Sequence, residues 1–483
     1  MGDLDEGTMT IDYDGVIIGG TMQARKVAMS AARQGARVVL VEAPEAVDRQ
    51  IRRQVSLEVL ARFSQNHQQA FLPGIPPPIT PQVWSALRHK VTLAADVAYP
   101  HLALEALAAA GVDVVLESGQ FIPKPRFALA TASRRLAGRS YLLSPPTQVK
   151  MPSIPGLAET PVLTPDTWLD LELPPQKLAI FGRSPDAIAL AQGLALMGTK
   201  TTLISRGEQL LPTEDLDISR FVESLLMAAG VDLRLGASLD SVSYDGEFAL
   251  QFSSGERLQI PHLLVAVAQR PQVEELNLNR IHLQASSTAI AVDDQLKTTR
   301  PRCFAFGPCL GGYWADHTDH QDGQVALQNA LYLPWRRLQQ WHRTGKLPTV
   351  PEFARFGMTA QQALKYYGDA AQVFQISGDQ IPKLHLDDRI TGIYRCIIHR
   401  NGSVLGAQVA APNGADFAQL LALLSHQRVS IQQMNKAHNL SMTSIEVLEG
   451  LSYAWQQNRW RPGSWRRDWS ENWFNWRRSR FRN

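Results

Sequence analysis

Two short stretches carry residues spaced to grip a phosphate. In IIGGTMQA, Gly19, Thr21 and Ala24 stand at the first, third and sixth places of a turn joining an apolar run to a helical one. In such a turn the first place makes the bend, the second lets backbone approach a pyrophosphate, and the third lets helix meet strand. Gly20 relieves part of the crowding that the Cβ of Thr21 brings. Glu42 ends the next apolar run, about 20 residues on, where a carboxylate accepts hydrogen bonds from a ribose. The alternative for this stretch is a Rossmann-like unit that holds no nucleotide. In IFGRSPDA the same places are taken by Gly182, Ser184 and Ala187, and the following strand ends in Ser205 and Arg206. An acid there would repel a 2′-phosphate, whereas a Ser-Arg pair tolerates or binds one, which favours NADPH over NADH. The alternative for Arg206 is a solvated turn residue.

These residues need strands and helices to hold them. DGVIIGG, TMQARKVAMSAARQG and ARVVLVEA read as strand, helix and strand, a βαβ unit, and the grammar returns between Lys177 and Gly207. Proline-rich SPPTQVKMPSIPGLAETPVLTP reads as an extended connection between domains. From about Val350 the pattern becomes antiparallel, with Asn401 and Gly402 as a hairpin turn in GIYRCIIHRNGSVLGAQVAAP. Helical segments follow from Asp416 to His426 and from Ser430 to Gln457.

A chain of 483 residues with 45% hydrophobic content is expected to fold as two or three domains. Its three cysteines, Cys303, Cys309 and Cys396, have neither a CxxC nor a zinc-like spacing. With no signal-peptide pattern and no apolar run of about 18 residues, a cytoplasmic location is expected, with peripheral membrane contact as an added option. The basic balance lies at one end: the segment from Arg459 to Asn483 has eight arginines against Asp468 and Glu471.

Two βαβ units followed by an antiparallel domain resemble the pyridine nucleotide-disulfide oxidoreductases, the family of glutathione reductase, dihydrolipoyl dehydrogenase and mercuric reductase. Further marks of the resemblance are AAGVDVVLESGQF, PSIPGL, GEQLLPTEDLDIS, TTRPRCFAFGPCLGG, HQDGQVALQNAL and GSVLGAQVAAPNGADF, in the family's order. The resemblance implies an α/β fold: two Rossmann-like dinucleotide-binding domains plus a C-terminal α+β dimerisation domain. The expected layout is an FAD domain over 1–165, an NAD(P) domain over 166–290, the rest of the FAD domain with a central segment over 291–350, a dimerisation domain over 351–458 and a tail over 459–483. The implied FAD contacts are Gly19, Gly20, Thr21, Glu42, Gly307 and Pro308; those for NAD(P)H are Gly182, Ser184, Ala187, Ser205 and Arg206.

The chain departs from the family where the family does chemistry. The loop after the acid equivalent to Glu42 carries two cysteines four residues apart in the family, but here reads APEAVDRQIRRQVSLEVL. Thiol-disulfide exchange needs a thiolate and a resolving partner, and this loop holds neither. The family's His-Pro-Thr run with its later Glu has become SMTSIE, with Ser441 at the histidine and Glu446 retained. A hydroxyl does not cycle a proton near neutral pH as imidazole does, so no catalytic residue is assigned. His438, three residues upstream, is more simply structural. The Gly-Asp pair of the flavin motif is Gly307 and Pro308, and the Ala-Thr-Gly motif is Ser144, Pro145 and Pro146. His317 and His320, among Asp316, Asp319 and Asp322, read as helix-start caps, and no metal site is expected.

The tail adds Trp465, Trp469, Trp473 and Trp476 along one face of a helix, with Arg466, Arg467, Arg477 and Arg478 beside them. Such a helix fits an anionic membrane surface or an acidic protein partner, and no nucleic acid is expected; packing against its own homodimer is the alternative. Two functions follow. One is an FAD-dependent NAD(P)H oxidoreductase without dithiol chemistry, passing electrons through flavin to an unidentified acceptor. The other is a catalytically silent dimeric scaffold or sensor that docks through its tail.

Overall fold

The computed structural model describes residues 11–69, 79–124, 127–314, 321–338, 343–436, 441–443 and 445–480. His317, His320, Asp316, Asp319 and His438 lie outside them. The chain divides into two compact units. The first holds 1–213, 219–339 and 347–349, and the second holds 214–218, 340–346 and 350–483.

In the first unit, strand β1 (Tyr13–Ile18) leads into helix α1 (Met22–Arg33) and strand β2 (Val38–Val41). Two long helices follow, α2 (Ala46–Gln69) and α3 (Pro81–Ala98), then strands β3 (Asp113–Val115) and β4 (Gly138–Leu143). The second βαβ comprises β5 (Lys177–Phe181), α4 (Pro185–Leu196) and β6 (Lys200–Ile204), with β7 (Asp232–Arg234) and β8 (Leu263–Val265) beyond it. Strand β9 (Cys303–Ala305) and helix α5 (Gln321–Leu331) return to the first sheet. The sheet orders are β9-β4-β1-β2-β3 and β7-β6-β5-β8, and every pairing in both is parallel.

Period-two alternation explains why the first sheet is covered on both faces. Ile17, Leu40 and Leu142 point into one cluster with Ala24, Val27 and Ala28 of α1 and Ala326 and Leu327 of α5. Their neighbours Val16, Ile18, Val39, Val41, Tyr141 and Leu143 point into another.

Helix α2, which covers most of the segment that the resemblance sets against the family's dithiol loop, is a packing element. Only Ala43 to Glu45 separate Glu42 from its first turn, and Glu45 takes a left-handed φ of 61° to make the corner. Val47 and Ile51 pack on Met22 and Leu102. At the other end Leu60 meets α4 so closely that a Cβ on Gly193 would lie 2.6 Å from it. Helix α3 is pinned by Trp84, whose indole donates to the Leu171 carbonyl at 2.9 Å and meets Trp168 edge to face.

The second unit is built on one five-stranded sheet. Its strands are β10 (Thr344–Leu347), β11 (Phe353–Gly357), β12 (Ala371–Ser377), β13 (Ile393–His399) and β14 (Val404–Ala410), in the order β10-β11-β14-β13-β12. Strands β13 and β14 form the Asn401-Gly402 hairpin expected from the sequence, with Gly402 at φ 96°. Helix α6 (Ala360–Tyr367) follows β11. Helices α7 (Gly414–His426), α8 (Ile431–Lys436) and α9 (Glu446–Arg459) come after the sheet, so the helical stretch expected from Ser430 to Gln457 is two helices. The core gathers Tyr394, Cys396, Phe417, Leu421 and Trp455. Residues 214–217, an acidic run from the middle of the chain, belong to this unit: Asp215 caps α6 by accepting from the amides of Ala360 and Gln361, and Arg395 grips Asp217. Helix α10 (Trp465–Arg480) ends the described chain.

Candidate functional site

The turn after β1 is filled by the protein's own side chains. Thr21 caps α1, its hydroxyl accepting from the Ala24 amide at 3.1 Å and sharing a 2.7 Å hydrogen bond with Ser144. Gln50, reaching over from α2, accepts the Met22 amide at 2.8 Å. Two donors that a helix start would offer to a phosphate are therefore taken. Pro146 closes on the turn from β4's end: Gly20 has φ 112°, and a Cβ there would lie 2.6 Å from the proline ring.

Glu42 is buried below this turn, but the ribose contact expected of it is held by protein. Its Oε1 accepts from Arg25 Nη2 at 2.6 Å and Nε at 3.0 Å, and Arg25 also donates to the Leu102 carbonyl. Burial pushes the Glu42 carboxyl above its ordinary range, against the pull of Arg25. Beside this turn, Glu42 Oε2 and Gln23 Oε1 are buried without a hydrogen bond among the described residues. At the flavin motif, Gly307 keeps a positive φ of 77°, and its amide donates to Asp322 at 2.8 Å. The space remaining before the first turn is about 70 Å³, among Gly20, Thr21, Gln50, Arg53, Pro146 and Asp166.

The second turn opens onto a cleft of about 790 Å³. Ser184 caps α4 as Thr21 caps α1, accepting from Ala187 at 3.2 Å while donating to the Ala266 carbonyl. Gly182 sits at φ 138°, where a Cβ would fall 2.0 Å from Ala266 O, so only glycine fits. Lys150, Arg183 and Arg206 line the cleft against one carboxylate, Asp186, which lies 3.9 Å from buried Arg53. Arg206 is exposed and stands over the Phe181 ring, and the Ser205 hydroxyl accepts the Gly207 amide. Pro308 and Tyr313 complete the opposite wall. The structure thus gathers Gly182, Ser184, Ser205 and Arg206 at one cleft, with Ala187 buried behind it, and draws Gly19, Gly20, Thr21 and Glu42 into a closed turn.

All three cysteines are buried and free. Burial raises the thiols of Cys303 and Cys396 to about 12, and Cys309 higher still. None is a thiolate near neutral pH. Ser441 is exposed, and Glu446 accepts the Met442 amide at 2.6 Å, so the carboxylate holds its own helix entry.

A pyridine nucleotide-disulphide oxidoreductase model matches residues 13–343, and the dimerisation domain of the same family matches 347–449. The chain belongs to the pyridine nucleotide-disulphide oxidoreductase family. Members of this family are FAD-dependent enzymes that use NAD(P)H. Mercuric reductase from Staphylococcus aureus is 25% identical over 70% of this chain and 62% of its own length. The dihydrolipoyl dehydrogenase of Bacillus subtilis is 28% identical over 49% of this chain and 51% of its own. The chain therefore spans less than two thirds of either relative. Among solved structures, the flavoprotein disulfide reductase RclA from Escherichia coli superposes with a TM-score of 0.75 over 91% of this chain and 99% of its own, at 21% identity. LpdA from Mycobacterium tuberculosis reaches 0.78 over 92% and 99%, at 18%. Both share the fold.

The family's flavin does not fit the residues found here. Ligand pockets hold roughly 300 to 1,000 Å³, and the pocket that the described residues leave before the first turn holds about 70 Å³. Opening the turn means breaking the Thr21–Ser144 and Gln50–Met22 bonds, each worth about 0.5 to 1.5 kcal/mol. Together they cost about 1 to 3 kcal/mol, roughly one to two decades in affinity. The second cleft, by volume and by its cations, does fit a dinucleotide.

What the sequence left unseen is the filling. Gln50 and Arg25 are ordinary helix residues by spacing, and their only signal was the short connection between Glu42 and α2.

Proposed function

We propose that this chain is a dimeric, dinucleotide-binding member of its family that works as a sensor or scaffold, without thiol-disulfide exchange and without a flavin relay. The observation carrying this reading is the contrast between the closed first turn and the open second cleft. Gly182 and Ser184 would place the nucleotide's phosphates, Arg206 and Ser205 its 2′-phosphate, and Lys150 and Arg183 would balance its charge. A bound NADPH would supply a hydride; among the described residues of the cleft, Asp186 faces Arg53 and the Tyr313 hydroxyl donates to the Arg183 and Leu210 carbonyls, so both are committed to protein partners. The buried, protonated thiols support a silent role. The dimerisation domain supports a homodimer, and the C-terminal helix serves as a docking element for an anionic surface or an acidic partner.

A second reading, electron transfer from NAD(P)H through FAD to an acceptor, is favoured by Glu42 Oε2 and Gln23 Oε1, buried acceptors that a hydroxylated ligand would satisfy. An absorbance spectrum of the purified protein, with and without added FAD, separates the two. A colourless protein that binds NADPH in calorimetry supports the sensor reading. Flavin bands that bleach on anaerobic addition of NADPH would overturn it.

A further inference from the structure

Helix α10 has sixteen residues and none of them is buried. At 100° per residue, Trp465, Trp469, Trp473 and Trp476 fall within a sector of about 80°, and Arg480, Arg466 and Arg477 lie within it or about 40° beyond one edge. The acids Asp468 and Glu471 lie on the other flank, and Glu471 is taken by Arg467 at 2.7 Å. One side of the helix is thus aromatic and cationic, and it is continuous.

The chemistry of that side selects among partners. The helix contains no Leu, Ile, Val, Ala or Met, so it lacks the aliphatic stripe that seats a helix in a protein groove. Its ring faces are already engaged: Trp469 and Trp473 stack at 6.0 Å and 4°, Trp473 and Trp476 approach to 5.0 Å, and Arg466 and Arg480 cover Trp465 and Trp476. A single-stranded nucleic acid binds by stacking bases on free faces. What the exposed helix offers are indoles and guanidinium forks, the groups that settle at lipid headgroup depth and meet phosphate.

We infer that α10 is an interfacial anchor that lies flat on an anionic lipid bilayer, the tryptophans at the headgroup level and Arg466, Arg477 and Arg480 on lipid phosphates. This rests on the docking reading of the C-terminal segment given above and names its occupant. Phe474, on the opposite side, takes no part.

The test is cosedimentation of the full chain with phosphatidylcholine vesicles, with and without phosphatidylglycerol. Binding is expected only with phosphatidylglycerol, and is expected to weaken with salt. The triple change Arg466→Gln, Arg477→Gln, Arg480→Gln should weaken it about a hundredfold. Trp469→Ala with Trp473→Ala should abolish it, and NADPH binding in both variants reports that the fold is intact. Equal binding to neutral vesicles, no binding at all, or tighter binding to a single-stranded oligonucleotide would each overturn the lipid assignment. Hydrogen exchange over 465–480 in the free protein tells how far a failure reaches. Fast exchange leaves the docking reading standing with another partner, whereas strong protection sinks that reading as well.

Discussion

The two βαβ units start from the same turn pattern and end in opposite states. Each has glycine at its first turn position, a hydroxyl residue at the second and alanine at the third, and in each the hydroxyl caps the helix by accepting the amide three residues on. The helix starts are therefore alike. The difference lies in what the rest of the chain delivers in front of them: Gln50, Arg25 and Pro146 at the first, and the walls of a cleft of about 790 Å³ at the second. A phosphate-binding turn is defined by the space kept clear before it as much as by its glycines.

Removing the filler's charge should have the largest effect. Arg25→Ala would strand Glu42 in a dry site and is expected to cost about 3 to 5 kcal/mol of stability, read by denaturant melting, while leaving NADPH affinity unchanged in the folded fraction. Gly182→Ala attacks the other unit. With φ at 138° and the Ala266 carbonyl in the way, it should lower stability by about 2 kcal/mol or more and remove NADPH binding in calorimetry. Trimming the fillers, by Gln50→Ala with Pro146→Gly, should cost about 1 to 3 kcal/mol for the stranded Met22 amide. It should also let the first turn take up FAD, seen as a flavin spectrum retained on ultrafiltration; no uptake would mean that α2 itself closes the site. The smallest effect is at Arg206→Asp, expected to weaken NADPH by about tenfold, or about 1.4 kcal/mol, with NADH little changed.

The four strands of the two βαβ units were legible because their apolar runs are short and bounded by glycine, and the Asn401-Gly402 hairpin because that pair favours a tight hairpin turn. Gathering Gly182, Ser184, Ser205 and Arg206 at one cleft follows from strand order alone, since parallel strands bring their C-terminal ends to one edge. The closure of the first turn follows no such rule. It depends on the Arg25 and Glu42 side chains meeting 17 residues apart, and on the Gln50 side chain reaching the Met22 amide 28 residues away past the corner at Glu45. The anchoring of Asp215 and Asp217 in the second unit was hidden likewise, because its partners come from Ala360 and Arg395, about 150 or more residues away. Periodicity reports which way a side chain faces, but not which distant group it meets.

The buried cysteines make the molecule its own stopwatch. A thiol that burial holds protonated at neutral pH reacts only when the chain opens, so an alkylating reagent must wait. Cys303 and Cys309 time the opening of the first unit and Cys396 that of the second, and mass spectrometry can follow all three in one sample. A ligand in the nucleotide cleft would slow the first pair of labels, with no engineered probe required.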